Sequence, residues 1–180
     1  IGEWDTSNVV NMYQMFRGAS SFNQNLSGWD VSNVTNMEGM FRNANFFDQD
    51  LGDWNVSSVG NMINMFDGVA LSVENYDSLL FGWGNLPSLE MDIDFHGGDS
   101  MYCYGLRERD EIMTGVYNWE IVDGGAHPLC DLTAPALEIF SPENDTTYFN
   151  LFSFEVNSSD VGRGSNNISL FMDFNNSLVS

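Results

Sequence analysis

The chain repeats itself. Trp4-Asp5-Thr6-Ser7-Asn8-Val9, Trp29-Asp30-Val31-Ser32-Asn33-Val34 and Trp54-Asn55-Val56-Ser57-Ser58-Val59 recur at a spacing of 25 residues. Met12/Met37/Met62, Met15/Met40/Met65 and Phe16/Phe41/Phe66 keep the same phase, as do Phe22/Phe47 and Leu26/Leu51 in the first two copies. Whatever one unit folds into, its neighbours must fold into as well, and a period of this length predicts a stacked α/β solenoid over residues 1–70. In the second copy the alternation of Leu26 to Val31 predicts a short strand. Ser32 is then placed to cap a helical turn carrying Val34, Met37, Met40 and Phe41 on one face. The methionines read as a core stripe, and Asn11, Asn36 and Asn61 as a structural amide ladder from unit to unit.

Three coils account for less than half of 180 residues, so further modules are expected. Hydrophobic residues make up 43% and aromatics 14% of the chain, enough to pack an interior, so the formal charge of −21 must decorate a folded surface. Lysine is absent and Arg17, Arg42, Arg107, Arg109 and Arg163 form no stripe, which argues against nucleic acid as a partner. No apolar run approaches the roughly 20 residues of a membrane span, and no signal segment opens the sequence. Gly2-Glu3-Trp4 already stands in the phase of Gly28-Trp29, so the chain reads as a fragment of a larger envelope or filament protein.

From residue 71 the period breaks, and residues 71–132 read as an α+β C-terminal cap. Leu71 to Trp83 has the spacing of a capped amphipathic helix, Met91 to Phe95 alternates like a strand, Arg107 to Tyr117 is a second helix, and Trp119 to Asp123 a last strand. Residues 133–180 change character again. Ala136 to Phe140, Phe152 to Val156 and Ser169 to Phe174 alternate as half-buried strands around the turn Ser141-Pro142-Glu143-Asn144-Asp145, predicting the first half of an all-β sandwich.

The second copy, Trp29 to Phe41 followed by Phe47-Asp48-Gln49-Asp50-Leu51, resembles the BspA-like surface repeat, a mycoplasma lipoprotein-type repeat related to leucine-rich repeats. Glu74 to Trp83, Phe95-His96-Gly97-Gly98 and Trp119 to Gly125 resemble the C-terminal cap of such arrays, and the tail from Ala134 is similar to the immunoglobulin-like modules of envelope proteins. The resemblance implies leucine-rich-repeat-like coils, exposure at the cell surface, and adhesion or scaffolding without catalysis.

Cys103 and Cys130 are the two cysteines, and an even count on a surface-type protein predicts a disulfide between them. Zinc held by His96, Cys103, His127 and Cys130 is the sharper alternative, although the spacing fits no common zinc motif. Asp48, Asp50 and Asp53 crowd one turn and Asp92, Asp94 and Asp99 another, offering hard oxygen ligands for calcium without forming an EF-hand loop. Of the seven Asn-X-Ser/Thr sequons, those at Asn25, Asn33, Asn55 and Asn175 join Asn144, Asn157 and Asn167, of which the last three fall in predicted sandwich loops suited to glycans. No catalytic triad, nucleophile elbow or phosphate loop stands out, and no cofactor is called for.

The sequence therefore predicts a non-catalytic extracellular structural or adhesive protein. Its partners would be a protein or glycan at the cell surface or another copy of itself, met through ladders such as Asp5/Asp30/Asn55 and Gln24/Gln49. A calcium-dependent carbohydrate or receptor binding module is the alternative.

Overall fold

The computed structural model describes residues 1–130 and, in the tail, the strands Leu151–Phe154, Ile168–Met172 and Leu178–Val179. The chain divides into two units, Ile1–Leu129 and Cys130–Ser180.

The α/β solenoid of leucine-rich-repeat-like coils is not what residues 1–70 form. They contain no helix, and their only ladder contacts are the single parallel bridges Asn11 to Asn36 and Asn36 to Asn61, with Met62 bridging Phe95. Each repeat is a succession of tight turns. Val34 N–H donates to the Val31 carbonyl, Met40 to Met37, Arg42 to Gly39, Ala44 to Phe41 and Phe47 to Ala44, at 2.8–3.1 Å. Turn bonds of this i+3 kind bring residues three apart to one face, so the Met37/Met40/Phe41 spacing imitates a helix without needing one. A helix is blocked at two recurring points. Gln14, Gly39 and Asn64 have φ of 53°, 60° and 55°, and Gly18, Asn43 and Gly68 have 71°, 58° and 76°. These are left-handed conformations that interrupt any α-helix and are easiest for glycine and asparagine.

Alternate backbone N–H groups point sideways to the next repeat. Met12, Gln14, Phe16 and Gly18 donate to the carbonyls of Asn36, Glu38, Met40 and Arg42 at 2.8–2.9 Å. Met37, Gly39, Phe41 and Asn43 donate in turn to Asn61, Ile63, Met65 and Asp67, again at 2.8–2.9 Å. Equivalent rings lie over one another: Phe16 on Phe41 at 5.6 Å, Phe41 on Phe66 at 5.4 Å, Phe22 on Phe47 at 5.9 Å and Trp4 on Trp29 at 6.2 Å. Stacked pairs at these separations add to the burial of their faces.

Beyond the repeats, α1 (Val73–Gly84) starts at Ser72, whose hydroxyl accepts from Asn75 N–H. β1 (Asp94–His96) pairs in parallel with β3 (Glu120–Val122), and β2 (Met101–Tyr102) with β4 (Gly125–Ala126). The second expected helix is a π-helix, Arg107–Thr114. The α+β cap expected over 71–132 is thus one α-helix, one π-helix and two separate two-stranded pairs. Met91 and Asp92 do not join β1, because Asp92 has a φ of 59°. The immunoglobulin-like sandwich is not observed either. The tail strands Leu151–Phe154 (β5), Ile168–Met172 (β6) and Leu178–Val179 (β7) form one antiparallel sheet in the order β5-β6-β7, with no second sheet among the described residues of that unit.

α1 is fastened to the third repeat by a tryptophan. Trp29 Nε1 donates to the Ile1 carbonyl (3.1 Å), Trp54 Nε1 to Leu26 (3.0 Å) and Trp83 Nε1 to Leu51 (3.0 Å). Trp83, on the helix, therefore makes the contact that a fourth repeat's tryptophan would make. The helix sits so close that a Cβ on Gly82 would overlap the Gly52 carbonyl, and a Cβ on Gly52 would lie 2.6 Å from the Ser78 carbonyl and hydroxyl oxygens, which explains glycine at both places.

Candidate functional site

The polar side chains of the repeats are first of all turn formers. Asp5 Oδ1 accepts from Ser7 N–H (3.1 Å) and Ser7 Oγ (2.6 Å), and Asp30 Oδ1 from Ser32 N–H (3.0 Å) and Ser32 Oγ (2.6 Å). Asn55 Oδ1 accepts from Ser57 N–H at 3.2 Å. The hydrogen bonds from Ser7 and Ser32 hold the Asp5 and Asp30 carboxyls below the usual carboxylate pKa. Asn11, Asn36 and Asn61 do the same for Tyr13, Glu38 and Ile63 N–H, so each amide serves its own turn. Among the three, Asn61 Nδ2 also reaches the neighbouring unit, at Glu38 Oε2 (3.1 Å). The ladder of that phase is carried by backbone bridges rather than by stacked amides.

The six acidic calcium candidates do not converge. Among the described residues no three of these carboxylates bring oxygens close enough together to share an ion. Asp48 Oδ1 instead accepts from Ser72 N–H (2.8 Å), Ser72 Oγ (3.0 Å) and Asn75 Nδ2 (2.7 Å), tying the start of α1 to the second repeat. Asp50 Oδ1 accepts from Gly52 N–H at 2.9 Å, and Asp92 Oδ1 from Asn118 Nδ2 at 2.6 Å. Asp53, Asp94 and Asp99 are exposed. Both cysteines are disulfide-bonded and no described cysteine is free, so neither Cys103 nor Cys130 offers the thiolate that the zinc set requires. His96 Nδ1 accepts from Gly98 N–H and His127 Nδ1 from Leu129 N–H, each a local turn contact. Asn25 and Asn55 are occupied in turns through Ser27 and Ser57 N–H, and Asn33 Nδ2 donates to the Ser7 carbonyl. Asn144, Asn157, Asn167 and Asn175 lie outside the described residues.

The most concentrated polar chemistry lies between α1, the π-helix and β3, where the sequence singled out nothing. The Asp123 carboxylate, almost wholly buried, accepts from Tyr76 OH (2.7 Å), Arg109 Nε (2.7 Å), Arg109 Nη2 (3.1 Å) and Gly125 N–H (3.0 Å). Arg109 also donates to the Ile121 carbonyl and lies 5.4 Å from the Tyr102 ring centroid. Burial and the neighbouring Asp123 charge push the Tyr76 hydroxyl well above its ordinary pKa, and burial raises Tyr102. Beside it, the buried Asp77 carboxylate accepts the consecutive N–H groups of Cys103, Tyr104 and Gly105 at 2.9–3.2 Å. All of these contacts are mutual and inward. An open depression of about 400 Å³ adjoins them, lined by Asp92, Asp94, Arg109, Thr114, Asn118, Trp119, Glu120 and Ile121. It offers carboxylates, an amide and a guanidinium already paired with Asp123, and its one hydroxyl, on Thr114, has no lining histidine to act as its base.

Residues 1–79 match the family described as "Mycoplasma protein of unknown function, DUF285". That span takes in all three repeats and the first half of α1. No curated protein and no solved structure matches the chain. No helix among the described residues is long and apolar enough to cross a membrane.

Proposed function

We propose that the chain is a non-catalytic structural or adhesive protein displayed at the cell surface. The observation that carries this reading is how the repeats use their side chains. Apolar positions stack unit on unit, while polar positions close turns and leave Asp5, Asp30 and Asn55 outward at a fixed spacing. A surface of that kind offers the same small polar motif several times, which suits contact with an extended protein or glycan. Disulfide-bonded cysteines and the match of residues 1–79 to a mycoplasma family support placement outside the cytoplasm. Because the six acidic candidates do not converge, the reading does not depend on calcium.

Peptide mapping of native material without reduction or deglycosylation tests it. A Cys103 to Cys130 linkage is expected, with sugar on Asn144, Asn157 or Asn167 where the source glycosylates its surface. Free thiols on both peptides would contradict surface display. Binding to a glycan or protein panel is expected to be indifferent to a calcium chelator, and chelator-sensitive binding would revive the calcium-dependent alternative.

A further inference from the structure

Strand pairing carries the register of the repeats into the cap. Asn11 bridges Asn36 and Asn36 bridges Asn61, while Met62 bridges Phe95 in parallel, which sets Asp94 in line with Asn61 and His96 in line with Ile63. β1 and β3 then place Glu120 beside Asp94 and Val122 beside His96. One row therefore reads Asn11, Asn36, Asn61, Asp94, Glu120. Its three amides each accept an N–H of their own turn, but its last two members carry like charges on neighbouring strands, an arrangement that costs stability. No described arginine lies within ion-pair distance of either carboxylate. Arg42 is taken by Asp67, Arg107 by Glu108 and Glu111, and Arg109 by Asp110 and Asp123. The same two acidic side chains line a groove of about 200 Å³ together with Phe95, His96, Ile63 and Val122, the last two 41% and 50% exposed.

We propose that this groove binds a lysine or arginine side chain of a partner protein. Neighbouring strands lie about 4.8 Å apart, so one ammonium or guanidinium reaches both carboxylates. Ile63 and Val122 offer apolar surface to the alkyl stem behind the charge. A bare metal ion fits less well, because no three carboxylates among the described residues converge at this place. A second copy of this chain is also a poor occupant, since it has no lysine and each copy carries a formal charge of −21. The groove uses none of the Asp5/Asp30/Asn55 row, so it adds a second, cation-selective contact to the adhesive reading above.

The probe is a blocked peptide with one lysine among threonines, titrated into the full chain while the Ile63 and Val122 methyl signals are followed by NMR. Both signals are expected to shift together to saturation. A norleucine peptide, which keeps the stem and loses the charge, is expected to bind about tenfold more weakly. Asp94→Asn combined with Glu120→Gln continues the amide row of the repeats. It should weaken the lysine peptide by a similar factor and raise the melting temperature, because the repulsion is relieved. Asp53→Asn combined with Asp99→Asn removes the same charge from two other exposed positions and should change the affinity by less than about twofold. Equal losses from the two pairs would reduce the effect to net charge and overturn the proposal. Equal binding of the norleucine peptide, unshifted methyls, or calcium alone moving them as far as the peptide does would overturn it too. None of these outcomes bears on the cysteine linkage, which tests surface display separately.

Discussion

Phe41 is the residue at which the stacks cross. It lies 5.6 Å from Phe16, 5.4 Å from Phe66 and 4.0 Å from Phe47, and is fully buried. Phe41→Ala is expected to destabilise the fold by about 3–5 kcal/mol in urea denaturation. Phe16→Ala should cost less, since Phe16 is only partly buried. Tyr76 makes a second prediction. Its hydroxyl titrates near pH 10 when unfolded and well above that when folded, because burial and Asp123 disfavour the phenolate. A raised pKa gives stability that is complete below pH 10 and lost as pH rises beyond it. Stability should therefore fall above pH 10, with tyrosinate absorbance from this residue appearing only as the fold is lost. Tyr76→Phe, by removing the titration, should flatten that part of the profile. At this scale the sequence was readable wherever a side chain recurs at its period, as with Phe16/Phe41/Phe66. It was silent on Arg109 and Asp123, which meet only because the π-helix and β3 bring two unrelated segments together.

The elements show why periodicity misled in the repeats and succeeded after them. Spacings of three and four in Met37/Met40/Phe41 arise equally from an α-helix and from consecutive turns, and the positive φ at Gly39 and Asn43 decides for turns. Only the recurrence of Gln14/Gly39/Asn64 and Gly18/Asn43/Gly68 carried that information, and three of its six residues are glycines. α1, by contrast, was legible from the spacing of Val73, Tyr76, Leu79, Leu80 and Trp83, the last four of which are buried. Its docking was not legible, because Trp83 lies 29 residues after Trp54 and so falls outside the 25-residue phase it completes. Gly82→Ala places a methyl against the Gly52 carbonyl and should destabilise by about 1–3 kcal/mol or more, read as a lower urea midpoint. Gly18→Ala, where no atom lies near the new methyl, should cost only the left-handed backbone penalty of about 1–2 kcal/mol.

At the scale of the molecule, a formal charge of −21 with no lysine makes self-repulsion the main long-range term. Added salt should raise the melting temperature of the chain by screening it, with the shift flattening once the Debye length is a few ångströms. Residues 1–70 have no helix and no extended strand, yet their unit-to-unit backbone bonds should hold them as rigidly as regular structure. Amide hydrogen exchange tests this most directly. Met37, Gly39, Phe41 and Asn43 donate across units, the first three from buried residues, so their amides are expected to exchange slowly and together, only through opening that breaks the stack. Fast, independent exchange at these four positions, at rates like those of exposed loops, would mean that the unit-to-unit bonds do not hold the repeats rigidly.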